Sequence, residues 1–178
     1  PVLLKSWRDA LGRHRLRREI VATQLANNLV NHMGIPFLRR LEQSTGAAAA
    51  DIARAWVVAR DVFELQTHFA GIEALDYQVS AEVQLELMEE LMRLGRRASR
   101  WFIRNRRSEL SPEREVAHFG PCVRTLAERF DQLLEGDVRQ LWDDRYQHYV
   151  DEGVPEAIAR VVAGTGHAYT LLGIVEAA

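Results

Sequence analysis

Histidine and cysteine are the side chains of this chain best suited to metal binding or nucleophilic attack, but they are scattered. The six histidines are His14, His32, His68, His118, His148 and His167, and the single cysteine is Cys122. Two pairs, His118 with Cys122 and Asp144 with His148, have the four-residue spacing that places two ligands on one helix face. A zinc site needs three or four protein ligands, so this pattern predicts no metal site. Cys122 also has no evident base beside it, which favours a packed thiol over a nucleophile.

The chain also lacks the glycine patterns that hold nucleotide phosphates. Neither G-x-G-x-x-G after a strand nor G-x-x-x-x-G-K-[ST] occurs in it. The sequence therefore predicts no catalytic residue, no bound cofactor and no bound metal within these 178 residues.

Four polar side chains recur at four-residue intervals and form what we call the polar stripe: Glu19, Thr23, Asn27 and Asn31. The stripe lies beside apolar residues with helical spacing, which predicts a helix from Leu16 to Met33. Asn27, Asn28 and Asn31 together cost that helix about 2 kcal/mol relative to alanine. Either hydrogen bonds to neighbouring helices or an interface with another domain or subunit would offset this cost.

Arginine supplies nearly all of the positive charge, because 22 of the 23 basic residues are Arg and only Lys5 is Lys. The arginines form two groups, one at Arg8, Arg13, Arg15, Arg17 and Arg18, the other at Arg93, Arg96, Arg97, Arg100, Arg104, Arg106 and Arg107. They could meet phosphate or an acidic protein surface. The second group follows several glutamates and the net charge is only -2, which favours a solvated helix face. The 46–55 segment is also similar to the entry of a helix-turn-helix, so an independent helical DNA-binding or adaptor module is the alternative.

Length and composition favour one domain, spanning residues 1–178. One cysteine cannot form an internal disulfide, so a cytoplasmic location is expected. No apolar run approaches the ~18 residues of a membrane span. A chain that begins with Pro1 is further expected to be a piece of a much longer protein.

The hydrophobic periodicity predicts an all-α fold, an irregular bundle of about seven to nine helices. After the first helix, the expected helices start near Pro36 and run to about Gly46, then cover Ala49–Phe63, Gln66–Leu75, Ser80–Asn105, Val123–Leu134, Val138–Asp151 and Pro155–Val162. Ser80 and Ser111 are expected N-caps, and Glu89 is spaced to pair with Arg93. Gly120-Pro121 is expected to break the chain and could mark a subdomain boundary near residue 120. Residues 164–166 are expected to form a flexible break before an apolar tail that docks, 168–175.

Several phrases occur in a recognisable order. They include Leu16-Arg17-Arg18-Glu19-Ile20, the Asn-Asn-Leu-Val-Asn run at 27–31, Ala50-Asp51-Ile52-Ala53-Arg54-Ala55, Arg60-Asp61-Val62-Phe63, Ile72-Glu73-Ala74-Leu75-Asp76, Arg97-Ala98-Ser99-Arg100-Trp101 and Gly153-Val154-Pro155-Glu156. In this order they resemble the C-terminal helical region of the large bacterial NAD-specific glutamate dehydrogenases.

The resemblance implies a non-catalytic helical domain that is structural, oligomerising or regulatory. The parent enzyme would convert L-glutamate, NAD and water to 2-oxoglutarate, ammonia and NADH. Such enzymes use lysines on the substrate, and this chain has only Lys5. NAD and the catalytic groups are therefore expected elsewhere in the parent. The implied partners are the catalytic domain of the same chain and further copies of the parent, with no nucleic acid and no membrane.

Overall fold

The computed structural model describes residues 34–105, 110–168 and 170–177. In these ranges the chain forms nine α-helices and one short 3-10 helix, without any strand. The all-α prediction is confirmed. The helix predicted for Leu16–Met33, together with its polar stripe, lies outside the described residues.

The first two described helices begin and end where local chemistry predicts. α1 spans Ile35–Thr45, with a proline in its first turn. It ends at Gly46, whose φ of 67° is left-handed and whose N–H donates to the Glu42 carbonyl. α2 spans Ala49–Val62 and buries an apolar face into the core.

The third and fourth helices frame the centre of the molecule. α3 spans Leu65–Glu73, and a 3-10 turn at Asp76–Gln78 leads to α4, which spans Ala81–Arg104. The Ser80 side chain accepts a hydrogen bond from the Val83 N–H, as predicted for an N-cap. α4 packs on α2 so closely that a Cβ at Gly95 would lie 2.6 Å from the Trp56 ring.

The predicted break at Gly120-Pro121 is wrong, because α5 runs without interruption over Pro112–Leu133. Ser111 caps it, as predicted. Proline removes one intrahelical hydrogen bond, but its ring lies on the exposed side of α5. Phe119 and Val123 flank the proline and are both buried. Their packing holds the helix through the local defect.

Four more helices complete the described fold. α6 spans Gly136–Asp151, α7 Glu156–Ala163, α8 Thr165–Ala168 and α9 Thr170–Ala177. The flexible break expected at residues 164–166 is wrong, since α8 begins at Thr165, which is only 2% exposed. The apolar tail docks on the body as expected, with Leu171 and Leu172 buried.

Candidate functional site

One cavity among the described residues has a volume of about 360 Å³ and mostly apolar walls. Its floor is the protein core: Val62, Leu94 and Leu171 are each at most 3% exposed. Its walls come from the ends of α2 and α3, the second half of α5, and the helices α6 to α9. Because so many helices contribute to its walls, the cavity is formed by the packing of helices against one another.

Charged side chains stand around the mouth of the cavity in equal numbers of each sign. Glu64, Arg124, Glu128 and Arg160 all contribute to its lining. Arg124 Nη1 lies 3.3 Å from Glu64 Oε1, with both side chains about half exposed. The Arg160 guanidinium lies over the Trp142 and Tyr146 rings, 5.8 Å and 5.6 Å from their centroids. The mouth therefore carries no net charge.

His68 is the one histidine in the lining of this cavity. Burial lowers its pKa from the ordinary 6.5, although the negative charge of Glu64 acts in the opposite direction. Near neutral pH the imidazole is therefore uncharged. In that form one ring nitrogen donates a hydrogen bond and the other accepts one.

A second polar group, which we call the Glu90 cluster, ties α4 to α6 and α8. Glu90 is 8% exposed and receives Arg93 Nη1 at 2.6 Å and Arg145 Nη2 at 3.2 Å. The Thr165 hydroxyl lies 3.2 Å from Glu90 Oε2 and 2.9 Å from the Val162 carbonyl, so its single proton serves one acceptor at a time. Arg93 therefore pairs with Glu90 and not with Glu89, and the predicted Glu89–Arg93 pair is corrected.

One turn earlier on α4, Glu86 makes further contacts with α6. The Tyr149 hydroxyl donates to Glu86 Oε1 at 2.8 Å. Burial is the main cause that raises the pKa of Tyr149, so its phenol stays protonated and remains a donor. His148 Nε2 lies 4.0 Å from Glu86 Oε2. These contacts fix the relative orientation of α4 and α6.

A buried ion pair joins α2 to α5. Arg54 Nη2 lies 2.8 Å from Glu115 Oε2, and the Glu115 side chain is fully buried. The same Arg54 nitrogen donates to the Leu110 carbonyl at 3.0 Å. The pair holds the chain at the start of α5 against the core.

The structure brings few of the residues singled out from the sequence together. Within the described residues, no group of three or more His, Cys, Asp or Glu side chains is placed to hold a metal ion. Cys122 is an exposed free thiol, not the packed residue that was expected. Of the second arginine group, Arg93 meets Glu90 and the Arg96 guanidinium lies 5.5 Å from the Phe37 ring centroid.

Sequence reasoning missed Glu90 and Glu115, although their positions carried a signal. Glu90 stands on the apolar row of α4 with Val83, Leu87 and Leu94. Glu115 begins the row that continues with Phe119 and Val123. A buried carboxylate on an apolar face needs a partner. Each row therefore predicts a nearby cation, but it does not identify the residue that supplies it.

In the part of the chain that is described, every helix is too short or too polar to cross a lipid bilayer.

The whole chain, residues 1–178, matches the family model described as "Glutamate dehydrogenase, C-terminal". It is 61% identical over 176 residues to the NAD-specific glutamate dehydrogenase of Pseudomonas aeruginosa. It is 47% identical over 177 residues to that of Halomonas elongata, and 31% identical over 162 residues to that of Mycobacterium tuberculosis. These matches cover 99%, 99% and 91% of this chain but only 11%, 11% and 10% of the relatives. The chain thus spans about a tenth of their length.

Proposed function

We infer a supporting, non-catalytic role for this chain, which belongs to the family of glutamate dehydrogenase C-terminal regions. The observation that carries the proposal is the extent of the match. Nearly all of the chain aligns with about a tenth of an NAD-specific glutamate dehydrogenase. A helical bundle of this kind would position, oligomerise or regulate the catalytic part of the parent.

The parent reaction follows from the names of the relatives. It is the oxidative deamination of L-glutamate to 2-oxoglutarate and ammonia, with hydride passing to NAD. In this proposal the NAD site and the substrate-binding lysines belong to the catalytic domain of the same polypeptide. The sequence supports this division, because it holds one lysine and no dinucleotide fingerprint. The parent is proposed to be a cytoplasmic homo-oligomer.

The relatives favour this role over an independent DNA-binding or adaptor module. Two of the arginines that motivated the alternative also have protein contacts. Arg93 is held by Glu90, and Arg96 lies over Phe37.

Glutamate-dependent NADH formation tests the non-catalytic assignment. The isolated chain is mixed with L-glutamate and NAD, and the full-length enzyme serves as the positive control. We expect NADH only from the full-length enzyme. Appreciable turnover by the isolated chain would place catalytic groups in it and defeat the proposal.

The polar stripe, which lies outside the described residues, is proposed to be the surface that meets the catalytic domain or another subunit. In the full-length enzyme, Asn27→Leu should impair activity or assembly while the isolated chain keeps its stability. Asn28→Leu is a matched control, because Asn28 is not part of the stripe. If Asn27→Leu instead destabilises the isolated chain by about 1–3 kcal/mol, the stripe is an internal hydrogen-bond network.

A further inference from the structure

The apolar cavity has the size and form of a small-molecule site. Its volume of about 360 Å³ lies within the range of ligand pockets, which are mostly apolar with few polar groups. Phe63, Phe130 and Trp142 add aromatic surface to an aliphatic floor. Water gains few hydrogen bonds against such walls, so an apolar occupant is favoured over solvent.

The charges at the mouth argue against a strongly charged ligand. Glu64 and Glu128 balance Arg124 and Arg160, and Arg124 already lies 3.3 Å from Glu64. A carboxylate or phosphate would meet both acidic side chains as well as the two cations. An ammonium group would meet the two cations as well as the acids. Neither sign gains a net attraction on entry.

His68 offers a hydrogen-bonding group to an occupant. Burial keeps its imidazole neutral, so it can accept a hydrogen bond from a ligand hydroxyl or donate one to a ligand carbonyl. A neutral partner group costs less to desolvate in an apolar cavity than a charged one.

We propose that this cavity binds an uncharged, mostly apolar small molecule that carries a single hydrogen-bonding group facing His68. This ligand is neither substrate nor cofactor of the parent reaction, and the proposal does not depend on the proposed function. Since the ends of α2 and α3 and the second half of α5 all line the cavity, its occupant would stabilise their mutual packing.

Two fluorescent probes with the same ring skeleton test the ligand class. N-phenylnaphthylamine is neutral, and anilinonaphthalenesulfonate adds one sulfonate. Each is titrated into the full-length native protein that carries this chain, and Kd is taken from the rise in fluorescence. We expect the neutral probe to bind at least about tenfold more tightly. Equal or tighter binding of the sulfonate, or no binding of the neutral probe, overturns the proposal.

Two variants locate the binding. Ala127 lines the cavity on α5, whereas Ala157 is exposed on α7 and is not part of the lining. Ala127→Phe should weaken binding of the neutral probe at least about tenfold, and Ala157→Phe should leave it unchanged. Val161→Phe, at a lining position on α7, is the second blocking variant if circular dichroism shows that Ala127→Phe perturbs folding. Unchanged probe binding in a folded blocking variant would refute the site. The outcome is independent of glutamate turnover, so it separates this proposal from the non-catalytic assignment.

Discussion

Glu90 is a single side chain on which three others converge, and its neighbour Glu89 provides a natural comparison. Glu90→Gln keeps the size of the side chain but removes the charge that Arg93 and Arg145 meet. We expect a loss of about 1–3 kcal/mol in the free energy of unfolding, because hydrogen bonds to a buried charged group are stronger than neutral ones. Urea denaturation of the isolated chain measures it.

Glu89→Gln is the matched control, since Glu89 is exposed on the same helix. Its effect should stay within about 0.5 kcal/mol, as for ordinary surface substitutions. Equal effects of the two variants would show that the Glu90 cluster contributes no net stability.

Two helical glycines make a second comparison, because they differ in what an added methyl group would meet. At Gly95 the added Cβ would lie 2.6 Å from Trp56 and 3.1 Å from Leu65, both buried. At Gly71 it would lie 3.5 Å from Ile158, an ordinary contact. Alanine gains up to about 1 kcal/mol over glycine in a helix, whereas overpacking costs about 1–3 kcal/mol.

We therefore expect Gly95→Ala to destabilise the chain by about 1–2 kcal/mol and Gly71→Ala to stabilise it by up to about 1 kcal/mol. Thermal unfolding of both variants gives the comparison. A stable Gly95→Ala variant would mean that α2 and α4 can separate without cost, contrary to the packing seen here.

The helix α5 continues through a residue, Pro121, at which its sequence predicts a break. Pro121 leaves the Ala117 carbonyl without its intrahelical partner, yet the helix continues to Leu133. Pro121→Ala should restore that hydrogen bond and stabilise the chain by about 1–3 kcal/mol. Pro112→Ala, in the first turn of the same helix, should bring no gain because that N–H has no helical partner. Chemical denaturation tests both. Equal changes in the free energy of unfolding for the two variants would contradict the claim that Pro121 costs the helix a hydrogen bond.

Helix boundaries followed from local chemistry wherever caps decide them. Ser80, Ser111 and Gly46 act within a few residues of themselves, so the sequence alone located these ends correctly. Pro121 and Thr165 were misjudged because distant packing decides their conformation. Thr165 meets Glu90 from 75 residues away in sequence. A short stretch of sequence around Thr165 therefore does not include this partner.

Contacts between residues far apart in sequence also join other helices of the described part. Arg54 reaches the Leu110 carbonyl across 56 residues, and Tyr149 reaches Glu86 across 63. The all-α class depends only on periodicity and was predictable. The cavity depends on how the ends of α2 and α3 meet α5 to α9, a property of the assembled bundle that periodicity does not encode.

The same assembly should make the stability of the chain sensitive to mild acid through His68. Its pKa is lowered in the folded state, so below pH 6.5 the unfolded chain binds the proton more readily. The free energy of unfolding should be constant above this pH and fall as the pH drops below it. His68→Gln should flatten the decline, whereas His118→Gln, at an exposed position on α5, controls for the loss of a histidine as such. A second decline is expected below pH 4.5 in all three proteins, because a backbone hydrogen bond and Ser111 lower the pKa of Glu113. Urea midpoints across this pH range test the assignment. If the free energy of unfolding of His68→Gln falls with pH as steeply as that of the unchanged protein, a group other than His68 causes the decline.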